Sequence, residues 1–170
     1  MIHQAFYNGW RSVHGLKYQT IDNAFGLTVD MAGPTSLRRN DMQLLRVSNL
    51  NSRFRDVQLG EFVQNIIMGD SAYVKQSHIT SYHKALDLIP GARIWNANMK
   101  QVRISIEWNY GNTASLFKFI GMKHKLKLLQ SSHVSKYYVV ATLLRNIHCG
   151  IYGCQTSNYF DVALPSNFVE

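Results

Sequence analysis

The chain has 170 residues, 46% of them hydrophobic and 12% aromatic, with 11 glycines and 3 prolines; this suffices for one globular core and excludes a disordered, collagen-like or linker-dominated chain. Eighteen Lys and Arg against ten Asp and Glu leave a net charge of +8 with histidines neutral, a bias toward polyanions, with nucleic acid first and an anionic membrane surface second. No stretch is apolar for long enough to span a bilayer, and the N-terminal residues lack the apolar centre and cleavage site of a secretory signal, so a soluble intracellular protein is expected.

Residues 13–21 alternate as a strand does, 22–26 turn the chain, and 27–32 follow at hairpin distance as a second strand that Gly33-Pro34 is expected to stop. Asn40 or Asp41 then caps a short helix that opens on Met42, Leu44, Leu45 and Val47, with Arg38 and Arg39 at its mouth. Residues 51–60 are polar. The next ten climb into an apolar run that ends at Gly69-Asp70, and this predicts a buried strand. In open α/β sheets functional groups gather at the carboxyl ends of strands, so Asp70 is a candidate; an ordinary turn aspartate is the alternative.

Residues 77–97 read as a loop punctuated by Pro90-Gly91. From 98 to 120 the spacing predicts the longest helix, with Met99, Val102, Ile106, Tyr110, Ala114 and Phe117 along one side and Gly111 weakening its middle. Lys123, Lys125 and Lys127 form a basic run, either a solvated face or a phosphate-facing one. A second helix is expected over 134–148, and 150–170, which shows no clear period, is expected to pack as an irregular wrap.

Asp70 and Glu107 lie far enough apart for the chain to return and face itself, and two carboxylates can share a divalent ion. Arg103, four residues before Glu107, offers the ordinary alternative of an exposed helical ion pair. Ser71, Ser77, His78, Ser81 and His83 crowd the segment after Asp70, yet no Gly-x-Ser-x-Gly elbow is present. No Gly-x-Gly-x-x-Gly or Walker-type loop supports a nucleotide cofactor. Cys149 and Cys154 give no disulfide framework and read as free thiols in a reducing compartment. A zinc site built on them with His148 and His133 lacks a second ligand pair at the usual spacing.

Gly69-Asp70-Ser71-Ala72-Tyr73, followed by Arg103-Ile-Ser-Ile-Glu107-Trp-Asn-Tyr-Gly111, resembles the GDxxY and RxxxExxxG signatures of DDE endonucleases derived from Harbinger-type transposases. Other segments agree in order: Tyr7 to Arg11 through His14, Gly33-Pro34, Arg38-Arg39-Asn40-Asp41, and the closing run from Gly153 to Phe160. The resemblance spans most of the chain.

It implies an α/β, ribonuclease-H-like fold, a mixed sheet flanked by helices, that cuts DNA with divalent ions, Mg²⁺ or Mn²⁺, held by two Asp and one Glu. Asp70 matches the second acid and Glu107 the glutamate, so these are the implied catalytic and metal-binding residues. Asp41 resembles a recurrent family acid, and metal contact or capping both remain open for it. The first acid of the triad has no counterpart in these residues, and with it the first, central strand is expected to be lacking. Residues 1–170 are therefore read as a single partial endonuclease domain. DNA is the implied partner, contacted through Arg38, Arg39, Lys100, Arg103, Lys123, Lys125 and Lys127, with a separate DNA-reading protein or a second transposase subunit as a further one. A nuclear location follows by the same resemblance. The alternative is a domesticated or degenerate fragment that binds DNA or a transposase partner without cutting.

Overall fold

The computed structural model describes residues 7–8, 13–55, 66–83, 89–120 and 133–163. Its strands are β1 (Tyr7–Asn8), β2 (Val13–His14), β3 (Leu16–Asp22), β4 (Thr28–Ser36), β5 (Ile67–Met68) and β6 (Ile79–Thr80). Its α-helices are α1 (Asp41–Val47), α2 (Leu50–Arg55), α3 (Pro90–Leu116), α4 (Val134–Tyr152) and α5 (Gln155–Phe160), with a 3₁₀ turn at Lys118–Ile120. The architecture is mixed α/β. The described strands pair as three two-stranded sheets: β1 with β2 and β3 with β4 antiparallel, β5 with β6 parallel. The chain divides into two compact units, one of Met1–Leu37 with Ile104–Glu170 and one of Arg38–Arg103.

In the first unit the β3–β4 hairpin forms where alternation predicts it, closed by Gly26 at φ +79° and by the Asn23 side chain, which accepts the Leu27 N–H. Gly33-Pro34 does not stop β4. The register passes from Gln19↔Ala32 to Lys17↔Thr35, so Gly33 and Pro34 together face Tyr18 as a bulge. A bulge leaves an extra residue out of the ladder, which is where a proline without an N–H is tolerated.

Several polar groups tie α4 to this hairpin. The Asn146 amide pairs with both backbone groups of Thr28, accepting its N–H at 3.0 Å and donating to its carbonyl at 2.8 Å. Arg145, 2% exposed, donates to the Gly26 carbonyl and, at 2.6 Å, to the Thr28 hydroxyl. The Tyr18 hydroxyl donates to the Ser135 carbonyl at 2.7 Å while its ring lies 4.9 Å from that of Tyr138. Beyond Gly153, residues 155–160 form α5, so this stretch of the expected irregular wrap over 150–170 is helical; 164–170 lie outside the described residues. The Ser157 hydroxyl reaches back to accept the Cys154 N–H at 3.3 Å, a start signal that the usual capping residues do not advertise.

The second unit contains α1, α2, β5, β6 and the beginning of α3, and it buries Leu44, Leu45, Leu50, Ile79, Ala92 and Met99. Asn40 is the cap of α1: its side chain accepts the Gln43 N–H at 2.7 Å, and the Gln43 side chain accepts the Asn40 N–H at 3.2 Å. Asp41 is therefore the first residue of the helix rather than its cap. The strand ending at Gly69-Asp70 covers only Ile67–Met68 among the described residues, and Ile66 and Met68 are exposed, so it is not the buried strand that the apolar run predicts. Residues 61–65 lie outside the described residues.

α3 begins at Pro90, eight residues before the predicted start. Proline is at home in the first turn, where its missing N–H would have no partner, and the Ala92 and Arg93 N–H groups bond back to Ile89. The expected loop over 77–97 is thus replaced by β6 and the opening of α3, with 84–88 outside the described residues. The apolar side predicted for this helix is only partly the buried one. Met99 is buried, but Tyr110 and Ala114 are exposed, and from Ile104 onward Ser105, Asn109 and Thr113 are the buried residues. A search for apolar spacing passes over a polar stripe that finds hydrogen-bond partners.

Candidate functional site

Asp70 follows β5 in the unit Arg38–Arg103, and the local chemistry of its turn explains the residues around it. One carboxylate oxygen accepts the Ala72 N–H at 2.7 Å, an Asx turn, while the Asp70 carbonyl accepts the Tyr73 N–H at 3.1 Å. Upstream, the Gly69 N–H is held by the Thr80 carbonyl at 2.8 Å in the parallel ladder. The aspartate is thus half-buried and fixed on both sides.

The same unit holds Asp41. Met42, the next residue, receives the Val74 N–H on its sulfur at 3.4 Å, so the opening of α1 and the turn after Asp70 are neighbours. Arg38, Arg39 and Lys100 are exposed in this unit, and Arg103 lies with its guanidinium carbon 5.8 Å from the Tyr82 ring centroid. Sequence reasoning passed over Lys75, whose ammonium lies 3.3 Å from both ring nitrogens of His83, and Asn96, whose amide grips the backbone N–H and carbonyl of His83. No spacing in the sequence signals that clip. Lys123, Lys125 and Lys127 lie outside the described residues.

Glu107 belongs to the other unit, exposed on α3. The three residues after it anchor that stretch of helix. Trp108 stacks edge-on with Tyr159 at 5.2 Å; Asn109 donates to Asp22 at 3.1 Å and accepts from Thr156 at 3.2 Å; the Tyr110 hydroxyl bonds Thr20 at 2.7 Å. Asp22, which sequence reasoning assigned only to a turn, keeps its second carboxylate oxygen buried without a partner. Among the described residues no group of three or more His, Cys, Asp and Glu comes together to hold a metal ion. Carboxylates are the right donors for a hard divalent cation.

A family model described as DDE superfamily endonuclease matches residues 1–146. The chain belongs to this family. No curated protein and no solved structure matches it. Family membership brings the transposase-derived nuclease class with it, and the match takes in Asp41, Asp70 and Glu107. Among the described residues no helix is long and apolar enough to cross a membrane.

Proposed function

We propose that this chain is a Harbinger-type, transposase-derived endonuclease domain with a ribonuclease-H-like fold, acting on DNA phosphodiester bonds, with Asp70 and Glu107 as ligands for Mg²⁺ or Mn²⁺. The observation that carries this reading is the family match over residues 1–146, which includes the Gly69-to-Tyr73 turn holding Asp70. When bound, such ions activate the attacking water and stabilise the leaving oxygen. The chain's own part is to fix the carboxylates: Asp70 through its turn, Glu107 through the contacts of Trp108, Asn109 and Tyr110. Arg38, Arg39, Lys100, Arg103 and the lysines at 123, 125 and 127 contact the DNA backbone, with a nuclear location and a DNA-reading or second transposase subunit as the setting.

A second reading, a DNA-binding domain that does not cut, is favoured by the net charge of +8 and by the lack of a three-ligand cluster among the described residues. Mn²⁺ titration separates the two, since only the first reading requires binding that depends on Asp70 and Glu107; nicking of supercoiled plasmid then reports whether the bound ions suffice to cut. In this sequence two acids match the family triad, so the expected result for the 170-residue chain is weak Mn²⁺ binding without nicking. Asp70→Asn and Glu107→Gln should each abolish the binding. Binding that survives both substitutions would overturn the ligand assignment. Nicking that both abolish would point to a substitute third acid, with Asp41→Asn the variant to make next.

A further inference from the structure

The two cysteines of the chain, which the nuclease reading leaves unused, meet at one point of the first unit. Cys149 comes from the last turns of α4 and is 1% exposed; Cys154 precedes α5 and is half-buried. Both thiols point at the same acceptor, the Phe25 carbonyl, each at 3.4 Å. Two sulfurs within 3.4 Å of one carbonyl oxygen are close neighbours. Gly26 completes the pocket: a Cβ there would overlap the Cys154 sulfur and stand 3.5 Å from that of Cys149, so both sulfurs rest over a residue without a side chain.

We propose that Cys149 and Cys154 are a peroxide-responsive dithiol that closes reversibly to a disulfide, with Cys154 as the attacking sulfur and Cys149 as the resolving one. The surroundings divide the roles. Burial raises the Cys154 thiol, but hydrogen bonds from Cys149, Ser157 and Thr156 outweigh it and leave the pKa lowered. Burial pushes Cys149 up to about 12, so it waits as a protonated thiol.

In the first step the Cys154 thiolate attacks hydrogen peroxide, the O–O bond breaks, and Cys154 becomes a sulfenic acid with release of hydroxide. In the second the Cys149 sulfur attacks that sulfenic sulfur, the S–O bond breaks, and the Cys149 proton leaves with the oxygen as water. Two thiols lose two electrons, the peroxide gains them, and the new bond ties the end of α4 to the start of α5.

The test uses the full chain. After hydrogen peroxide, alkylation and digestion without reductant, mass spectrometry should find a peptide pair joined through Cys149 and Cys154, lighter by two hydrogens, and dithiothreitol should restore both thiols. Cys149→Ser should stop at a Cys154 sulfenic acid that dimedone traps, while Cys154→Ser should leave Cys149 reduced. The wild-type readout stands whether or not either variant folds. Unchanged thiols in the wild type, a sulfinic acid on Cys154 beside a free Cys149, or a disulfide only between chains would each overturn the proposal.

Discussion

The ring of Tyr73 lies 2.9 Å from where a Cβ on Gly69 would stand. That contact explains why a glycine precedes Asp70 and a tyrosine follows three residues later: the ring covers the backbone that the aspartate leaves. The nearest ring and Cβ atoms of Tyr73 sit close to its own backbone and cannot swing aside cheaply. Gly69→Ala should therefore destabilise the protein by about 1–3 kcal/mol, as overpacking does. Urea unfolding measures it, and a Gly69→Ala midpoint equal to wild type would show that the turn yields freely.

Asn40 and Asp41 stand next to each other, but only Asn40 makes the reciprocal capping bonds with Gln43. Asn40→Ala should cost about 1 kcal/mol through the lost cap. Asp41→Asn should cost only about 0.3–1 kcal/mol, the worth of a carboxylate in the first helical turn. Denaturant titration of both variants ranks them, and an Asp41→Asn loss larger than that of Asn40→Ala would give Asp41 a role beyond the helix terminus.

Alkaline stability follows from a half-buried tyrosine and a buried cysteine. Burial is the first cause that pushes the Tyr138 hydroxyl up from 10.0 to about 12, reinforced by Tyr110 and Asp22. The unfolded chain then loses this proton at lower pH than the folded one. Stability is whole below about pH 10 and falls as pH rises from 10 through 12. Cys149, raised by burial from 9.0 to about 12, adds a decline in the same direction that begins nearer pH 9. Unfolding free energy followed against pH should slope down across this window. Tyr138→Phe should make the slope shallower, and an unchanged slope would assign the decline to other groups.

DNA binding should be dominated by phosphate contacts, given the net charge of +8. Fluorescence anisotropy with duplexes of different sequence should show affinity falling steeply as salt rises, with slight sequence preference. Arg38→Ala and Arg39→Ala should weaken all duplexes alike and make the salt dependence shallower. Binding that ignores salt would remove DNA as the reason for the charge.

The hairpin of β3 and β4 and the opening of α1 were legible in the sequence because each depends on neighbours: alternation, Asn23 and Gly26, Asn40 with Gln43. What escaped depends on partners far along the chain or on a residue's second habit. Gly33-Pro34 can end a strand or sit in a bulge, and only the pairing with Lys17 and Gln19 decides. Pro90 can break a helix or begin one. Ser105, Asn109 and Thr113 carry no apolar signal, yet they are buried; Asn109 bonds Asp22 and Thr156, and Thr113 bonds back to the Asn109 carbonyl. Asp70 and Glu107 were singled out as motif residues, and they fall in different compact units.

Asn146 has a consequence for how copies of this protein meet. Among the described residues β4 pairs only with β3, and an unpaired strand flank invites a strand from another molecule. At Thr28 the invitation is already answered, since the Asn146 amide occupies both the donor and the acceptor that an incoming backbone would need. One side chain thus acts as a blocking strand a single residue long, and sheet-to-sheet aggregation through that end of the hairpin must first displace it from Thr28.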